Sequence, residues 1–151
     1  MLTWLLGYYN QLILQKELNS SSADYWEKVQ EILGRFEFLI VACTKAGHHW
    51  KQNNETTGTI GVEFHHKELK VLADAGTIQT NIPSRKDVYG TYFNPTQEFG
   101  LLQIKAVQGG SVASLTERGK ALFQSMALEN KAPTLTKWLL HGGNLTLKDI
   151  V

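Results

Sequence analysis

The sequence contains one cysteine and three prolines in 151 residues, and neither acidic nor basic residues are in clear excess. Because a disulfide needs two cysteines, the lone Cys43 excludes an internal disulfide and favours a reducing compartment. No apolar run reaches the roughly 18 residues of a transmembrane helix, and the apolar N-terminus lacks the positively charged start of a signal peptide. We therefore expect a cytoplasmic protein with no membrane partner.

The balance of charge limits what the protein binds. Lys and Arg number 15 against 14 Asp and Glu, which gives a net charge of +1. Proteins that grip nucleic acid usually carry a basic excess, because phosphate contacts dominate their affinity. Any DNA contact must therefore come from a local cluster of cations or from the rest of a larger assembly. The hydrophobic content of 42% suffices for one core, and we predict a single domain over residues 1–151.

Apolar residues recur three or four positions apart across the N-terminal third of the chain. This period predicts an amphipathic helix over residues 2–18 and a second over residues 23–46, which together form a helical pair within residues 1–47. Gly47 is the expected C-cap of the second helix. Cys43 lies on the apolar stripe of that helix, so we expect a buried small hydrophobe rather than a nucleophile.

A third helix is predicted over residues 63–75, after a polar loop. Phe64, Leu69 and Leu72 are expected to face the core, and Gly76 is expected to end the helix. The next segment is rich in turn residues and predicts irregular structure, until Asn94-Pro95 fits the start of a short helix.

The most regular passage, residues 100–124, reads GLLQIKAVQGGSVASLTERGKALFQ. Its two apolar segments predict a hairpin across a glycine turn. Gly100 allows a sharp turn into the first strand, and the Thr116 hydroxyl suits the N-cap of a helix over residues 117–129. Three side chains of the first strand are expected to face the core: Leu101, Ile104 and Val107.

This order of helix, hairpin and helix resembles the winged helix-turn-helix domains of bacterial MarR-like and related regulators. The resemblance is placed on residues 63–128 and rests on Gly100-Leu101-Leu102 and Leu115-Thr116-x-x-Gly119-x-x-Leu122. It implies a mainly helical α+β fold, in which the N-terminal helices pack on a winged-helix-like unit with a two-stranded wing. Residues 133–151 are expected to be a C-terminal extension that ends as an ordinary frayed terminus. The alternatives are that it continues in a longer protein or that it completes its last element against a partner.

The winged-helix resemblance also implies a nucleic-acid surface. Base edges and phosphates are read by Arg, Lys, Asn and Gln, but the expected recognition segment carries the acidic Glu98, and Pro95 leaves it about one and a half turns. The nearby cations form a phosphate patch only if they share a face. The candidates are Arg85, Lys86, Asn94, Gln97, Lys105, Arg118 and Lys120.

Two histidine pairs flank the polar loop, His48-His49 and His65-His66. Converging histidines bind zinc, but this spacing matches no zinc motif, and adjacent side chains diverge on a helix. We expect His65 to face inward and His66 to point elsewhere, with both pairs supporting the base of the loop. A metal site formed by the four histidines is retained only as an alternative, and no cofactor is expected.

These patterns predict a non-enzymatic winged-helix-like binding module in a nucleic-acid-associated bacterial system, such as regulation, defence or mobile-element handling. Neither a nucleophile elbow nor a Gly-Lys-Ser/Thr phosphate loop occurs in the sequence. The expected partners are double-stranded nucleic acid and a protein chain or a second copy. One alternative is an interaction subunit of a larger complex without DNA contact; a second is a metal-dependent hydrolase that uses the histidines.

Overall fold

The computed structural model describes residues 24–50, 61–79, 81–107, 110–126 and 133–150. Within these residues the chain is mainly helical, with two antiparallel sheets of two strands each. The prediction of a mainly helical α+β fold is confirmed. The helix predicted over residues 2–18 and the polar segment 51–60 lie outside the described residues.

The described residues form six helices and four strands. They are α1 (Tyr25–Gly47), α2 (His66–Ala75), β1 (Thr77–Ile78), α3 (Val88–Glu98), β2 (Leu102–Val107), β3 (Gly110–Leu115), α4 (Glu117–Met126), α5 (Pro133–His141), β4 (Leu145–Thr146) and α6 (Leu147–Ile150). Strand β1 pairs with β4, and β2 pairs with β3.

These elements form two compact units. The hairpin unit comprises residues 24–29 and 87–126 and contains α3, β2, β3 and α4. The helical unit comprises residues 30–86 and 133–150 and contains α2, α5, α6 and the β1–β4 pair. Helix α1 contributes residues to both. The division of a single domain into a helical pair, a winged-helix-like unit and a C-terminal extension remains a prediction.

Helix α1 supplies much of the core of the helical unit. Phe36, Phe38 and Val41 are all at most 2% exposed, and because they do not share one face, α1 is buried on more sides than a single stripe predicts. Cys43 is exposed. The prediction that Cys43 is buried is wrong because the buried part of α1 ends at Ala42. Desolvation nevertheless raises the pKa of its thiol, which leaves less of the nucleophilic thiolate at neutral pH.

The end of α1 also differs from the prediction, because Gly47 remains helical and the chain reverses after it. The Trp50 N–H donates to the Lys45 carbonyl at 2.8 Å, and the His49 N–H donates to the Ala46 carbonyl at 2.9 Å, which is a Schellman motif. His49 (φ 52°) and Trp50 (φ 59°) both have left-handed backbones. Two consecutive non-glycine residues in this conformation are strained, so surrounding structure must hold the turn.

Helix α2 begins at His66, later than the predicted residue 63. Leu69 and Leu72 are buried, and Gly76, with φ of 69°, ends the helix; these predictions are confirmed. Phe64 is 42% exposed, so its predicted burial is wrong. The turn before α2, in which the His65 N–H donates to the Gly61 carbonyl, buries the imidazole of His65 instead.

The β1–β4 pair joins two segments that are distant in sequence. Ile78 pairs with Leu145, and both side chains are buried. Arg35 of α1 makes a second connection, because its Nε and Nη2 donate to the carbonyls of Leu139 and Leu140 at 2.8 and 3.1 Å. These carbonyls belong to the last turn of α5, where helix carbonyls need outside donors.

Helix α3 of the hairpin unit begins at Val88 and contains Pro95. The prediction that Asn94-Pro95 opens a short helix is therefore wrong. Burial of Val88 and Phe93 offsets the hydrogen bond that Pro95 cannot donate, and the Phe99 N–H donates to the Pro95 carbonyl at 3.0 Å. With 11 residues, α3 has about three turns.

The predicted hairpin is confirmed by strands β2 and β3, although its turn residues 108 and 109 lie outside the described residues. Leu102 lies opposite Leu115, and Ile104 lies opposite Ala113. Leu102, Leu115 and Ala113 are buried, whereas Ile104 is 46% exposed. The prediction that Ile104 faces the core is therefore wrong, although Ile104 shares a strand face with Leu102. Leu101 precedes the strand and is partly buried, and the side chain of Val107 lies outside the described residues.

The ends of the hairpin follow the prediction. Gly100 has φ of 67°, and the Leu101 N–H donates to the Thr96 carbonyl, which closes α3 in a Schellman motif. Thr116 caps α4, since its Oγ1 accepts a hydrogen bond from the Gly119 N–H at 3.1 Å. The same hydroxyl donates to the Gly100 carbonyl at 2.6 Å. The start of α4 is thereby fixed to the end of α3.

Candidate functional site

The seven candidate nucleic-acid residues divide between the two units. Arg85 and Lys86 belong to the helical unit, and the other five belong to the hairpin unit. These five are all exposed, on α3 (Asn94 and Gln97), on β2 (Lys105) and on α4 (Arg118 and Lys120).

One of the hairpin-unit cations lies beside the carboxylate of Glu117, and a second acts on that carboxylate through its charge. Lys120 Nζ is 2.6 Å from Glu117 Oε1. The hydrogen bond and charge of Lys120 lower the pKa of Glu117, and the charge of Lys105 lowers it further. Lys105 of β2 is exposed, and because such an effect weakens with distance, its charge must act on Glu117 at short to moderate range. We name Lys105, Glu117 and Lys120 the hairpin patch.

Arg85 has a different role from the one predicted for a phosphate ligand, because its side chain binds Glu37 of α1. Nε donates to Glu37 Oε1 at 2.8 Å and Oε2 at 3.0 Å, and Nη2 donates to Oε2 at 2.6 Å. The Glu37 side chain is 1% exposed and that of Arg85 is 17% exposed. Two guanidinium nitrogens on one carboxylate make a strong and specific contact. Arg85 therefore neutralises a buried charge.

His65 completes this group, which we name the buried charge cluster (Glu37, His65 and Arg85). The imidazole is fully buried, and its Nε2 lies 3.2 Å from Glu37 Oε1, although it is not aligned for a hydrogen bond. Gly61, with φ of 88°, lies so close to the carboxylate that a Cβ at this position would be 2.8 Å from Oε1. The cluster is thus packed on several sides.

The surroundings of Glu37 keep its carboxylate charged at neutral pH. Burial raises the pKa of this carboxyl, but the contacts from His65 and Arg85 outweigh burial and lower the pKa to about 2. The sequence contained one signal of this site, because Glu37 interrupts the apolar run from Phe36 to Ala42. Its partner could not be read from spacing, since Arg85 lies 48 residues away.

The buried charge cluster predicts a dependence of stability on pH. The pKa of Glu37 falls from 4.5 to about 2 on folding, so its contribution is complete above about pH 4.5 and disappears as the pH falls towards 2. The size of this contribution is on the order of 3 kcal/mol. Urea unfolding measured between pH 6 and pH 2.5 should show this loss.

Two glutamine variants distinguish the contribution of Glu37 to this pH dependence from that of the other carboxylates. Glu37→Gln should remove most of this acid sensitivity, because the amide does not titrate. Glu27→Gln alters an exposed residue of the same helix and should retain the wild-type pH profile. Equal profiles for Glu37→Gln and the wild type would contradict the assignment.

The histidines predicted as metal ligands do not form a ligand cluster. His48 and His49 lie in the turn after α1, His66 is exposed at the start of α2, and His65 belongs to the buried charge cluster. Throughout residues 24–50, 61–79, 81–107, 110–126 and 133–150, no three His, Cys, Asp or Glu side chains are placed to hold a metal ion. Geometry therefore gives the four-histidine site no support.

An open groove of about 630 Å³ lies in the helical unit, between the end of α1 and helix α2. Its apolar lining comes from Trp50, Val62, Leu69 and Ala73, and its polar lining comes from Lys45, Glu63, His66 and Lys70. We name this feature the Trp50 groove. Sequence reasoning missed it because its residues come from three separate segments.

Comparison of the chain with protein-family models, curated proteins and solved structures found no match. The winged-helix resemblance therefore stays a prediction, supported by the chain's own residues alone. None of the described helices is both long and apolar enough to cross a membrane.

Proposed function

We propose that the chain is a non-enzymatic, winged-helix-like module that binds double-stranded nucleic acid through its hairpin unit. The observation that carries this proposal is the hairpin patch, in which Lys120 of α4 lies 2.6 Å from Glu117 and the charge of exposed Lys105 of β2 acts on the same carboxylate. The resemblance suggests a bacterial setting in regulation, defence or mobile-element handling, which is an analogy of fold.

Helix α3 adds to this support, because it is long enough to act as a recognition helix. A helix of three turns spans about 16 Å, and the amide side chains of Asn94 and Gln97 are exposed on it. Amides of this kind form paired hydrogen bonds with adenine in the major groove. The order of α3, hairpin and α4 is that of a recognition helix, a wing and the helix after it.

Glu117 limits the affinity of the hairpin patch, because a phosphate must compete with this carboxylate for the two lysines. The Lys120 and Glu117 side chains are 54% and 90% exposed, so water and salt screen their ion pair and leave it easily exchanged. We therefore expect binding in the micromolar range that weakens steeply as salt is added.

The proposal is tested by titrating a fluorescent duplex with the protein across a salt series. Lys105→Ala combined with Lys120→Ala should weaken binding about tenfold at low salt and reduce the salt slope by about 2. Glu117→Gln should tighten binding, because it removes the competing carboxylate. The control pair, Lys67→Ala with Lys137→Ala, changes two exposed lysines of the helical unit and should bind less tightly by twofold at most.

Three outcomes would overturn the proposal: no binding at low salt, no dependence on salt, or equal losses in the two double variants. Arg85 is left unchanged in these experiments, because replacing it would remove the ion-pair partner of the buried Glu37 carboxylate and destabilise the fold. Loss of binding in an Arg85 variant would therefore not identify a phosphate contact.

A second candidate function is protein binding through the apolar side of the hairpin unit. Phe99 is 68% exposed, and a pocket of about 280 Å³ in the same unit is lined by Trp26, Phe93, Asn94 and Ile104. Exposed aromatic residues and pockets with an apolar lining are each typical of protein-interaction surfaces. If this surface joins two copies of the chain, Phe99→Ser should reduce self-association in sedimentation velocity experiments and leave duplex affinity unchanged.

A further inference from the structure

We infer that the Trp50 groove of the helical unit binds a purine nucleoside monophosphate. This site is separate from the residues of the proposed duplex surface, all of which lie in the hairpin unit. The groove volume of about 630 Å³ lies within the roughly 300–1,000 Å³ of small-molecule sites. Its lining combines the three kinds of group that a nucleotide requires: an aromatic ring, cations and a carboxylate.

Trp50 supplies the surface for the base. An indole ring stacks on a purine, and stacking accepts any base because every base has a flat face. The backbone that carries this side chain is fixed, since the Schellman motif at the end of α1 sets His49 and Trp50 in strained, left-handed conformations. Such strain persists where the surroundings demand it. Val62 and Leu69 extend the apolar lining.

The phosphate contacts come from helix α2. His66 and Lys70 both line the groove, and because they are four residues apart they lie one turn from each other on one face of the helix. A lysine ammonium is a common phosphate ligand, and an imidazole N–H donates to phosphate oxygens. Lys45 lines the same groove from α1.

Glu63 decides between a nucleotide and a simple anion. Its carboxylate lines the groove with the cations and would repel inorganic phosphate or a bare organic acid. A carboxylate accepts hydrogen bonds from ribose hydroxyls or from the amino group of adenine. A ligand with a purine ring, hydroxyl donors and one phosphate therefore matches all three kinds of lining group.

The test is a titration of the full chain followed by ¹H–¹⁵N NMR, with three probes that share parts of one structure. AMP carries the base, the ribose and the phosphate, adenosine lacks the phosphate, and ribose 5-phosphate lacks the base. We expect AMP to shift resonances of groove residues with a submillimolar Kd, and each partial probe to bind about tenfold more weakly or less. A fourth probe, a 5′-phosphorylated tetradeoxyadenylate, distinguishes the end of a nucleic-acid strand from a free nucleotide as the ligand. An affinity equal to that of AMP indicates a strand end, and no binding of this probe indicates the free nucleotide.

Variants of the groove provide the second half of the test. Trp50→Leu should weaken AMP binding about tenfold through lost stacking, and Lys70→Gln should weaken it about threefold. Lys67→Gln changes an exposed lysine of the same helix that does not line the groove, and it should bind AMP like the wild type. Circular dichroism verifies that each variant is folded.

Two results would overturn the inference without reference to any variant. The first is the absence of saturable shifts at groove residues with millimolar AMP. The second is equal affinity for AMP, adenosine and ribose 5-phosphate, which would show that the groove does not read base and phosphate together. Because the probes are compared on the wild-type protein, a variant that fails to fold leaves both criteria in force.

Discussion

Replacing Arg85 with methionine is expected to lower the free energy of unfolding by about 3–5 kcal/mol, because it leaves a buried carboxylate without its partner. Glu37 is 1% exposed, so water cannot take the place of the guanidinium. The loss should appear as a lower urea midpoint at neutral pH. It should also come with a higher pKa of Glu37, because one of the contacts that lower this pKa is gone.

Two control variants test whether the loss of stability comes from the unpaired carboxylate of Glu37. Arg118→Met changes an exposed arginine of the hairpin unit and should alter stability by at most about 0.5 kcal/mol. The double variant Glu37→Met with Arg85→Met removes both charges and should recover most of the loss, because a buried ion pair is often no more stabilising than apolar side chains of similar size. A loss below about 1 kcal/mol for Arg85→Met alone would contradict a buried pair.

Arg85 shows why a phosphate-binding surface cannot be assigned from sequence alone, because a cation that looks exposed can instead pair with a buried carboxylate. In the sequence Arg85 stands beside Lys86 in a polar, turn-rich segment, as a solvent-exposed pair of cations would. The structure joins Arg85 to a carboxylate in the middle of an apolar helix. Such a long-range pair has no local pattern, because neither spacing nor periodicity connects two residues in different segments.

The sequence predicted helices and their ends well wherever the structure depends on residues only a few positions apart. Helical period located α1, and the capping chemistry of Gly76, Gly100 and Thr116 matched the observed helix ends. These predictions succeed because a cap satisfies backbone groups within the same few residues. The same local argument failed at Pro95, where packing of α3 overrides the preference of proline for a helix start.

Predictions of which face is buried were less successful, because they depend on neighbours that the sequence does not place. His65 is buried as expected and lies 3.2 Å from Glu37, but Phe64, which was also expected to face the core, is 42% exposed. Ile104 remains 46% exposed although it shares a strand face with buried Leu102. The two-residue strands β1 and β4 were missed entirely, because so short a segment contains no period. The Trp50 groove was missed for a similar reason.

Gly119→Ala is expected to lower the free energy of unfolding by about 2–3 kcal/mol, although alanine favours helices more than glycine does. A Cβ at Gly119 would lie 2.1 Å from the Leu101 carbonyl oxygen, a distance that no relaxation of a side chain can relieve. This carbonyl accepts the Thr116 N–H at 3.1 Å. The substitution therefore forces apart the start of β2 and the capped start of α4.

Gly90→Ala is the matched control, because it places the same methyl group at an exposed helical glycine with room around it. Among the described side chains, a Cβ at Gly90 would meet only Asn94 Nδ2, at 3.8 Å, so this variant should be more stable than the wild type by about 0.5–1 kcal/mol. Thermal unfolding of the two variants should thus shift in opposite directions, whereas shifts in the same direction would contradict the close approach at Gly119. The opposite signs would also explain why Thr116 and Gly119 occur together at the start of α4: the threonine caps the helix, and the glycine leaves space for the Leu101 carbonyl that accepts the Thr116 N–H.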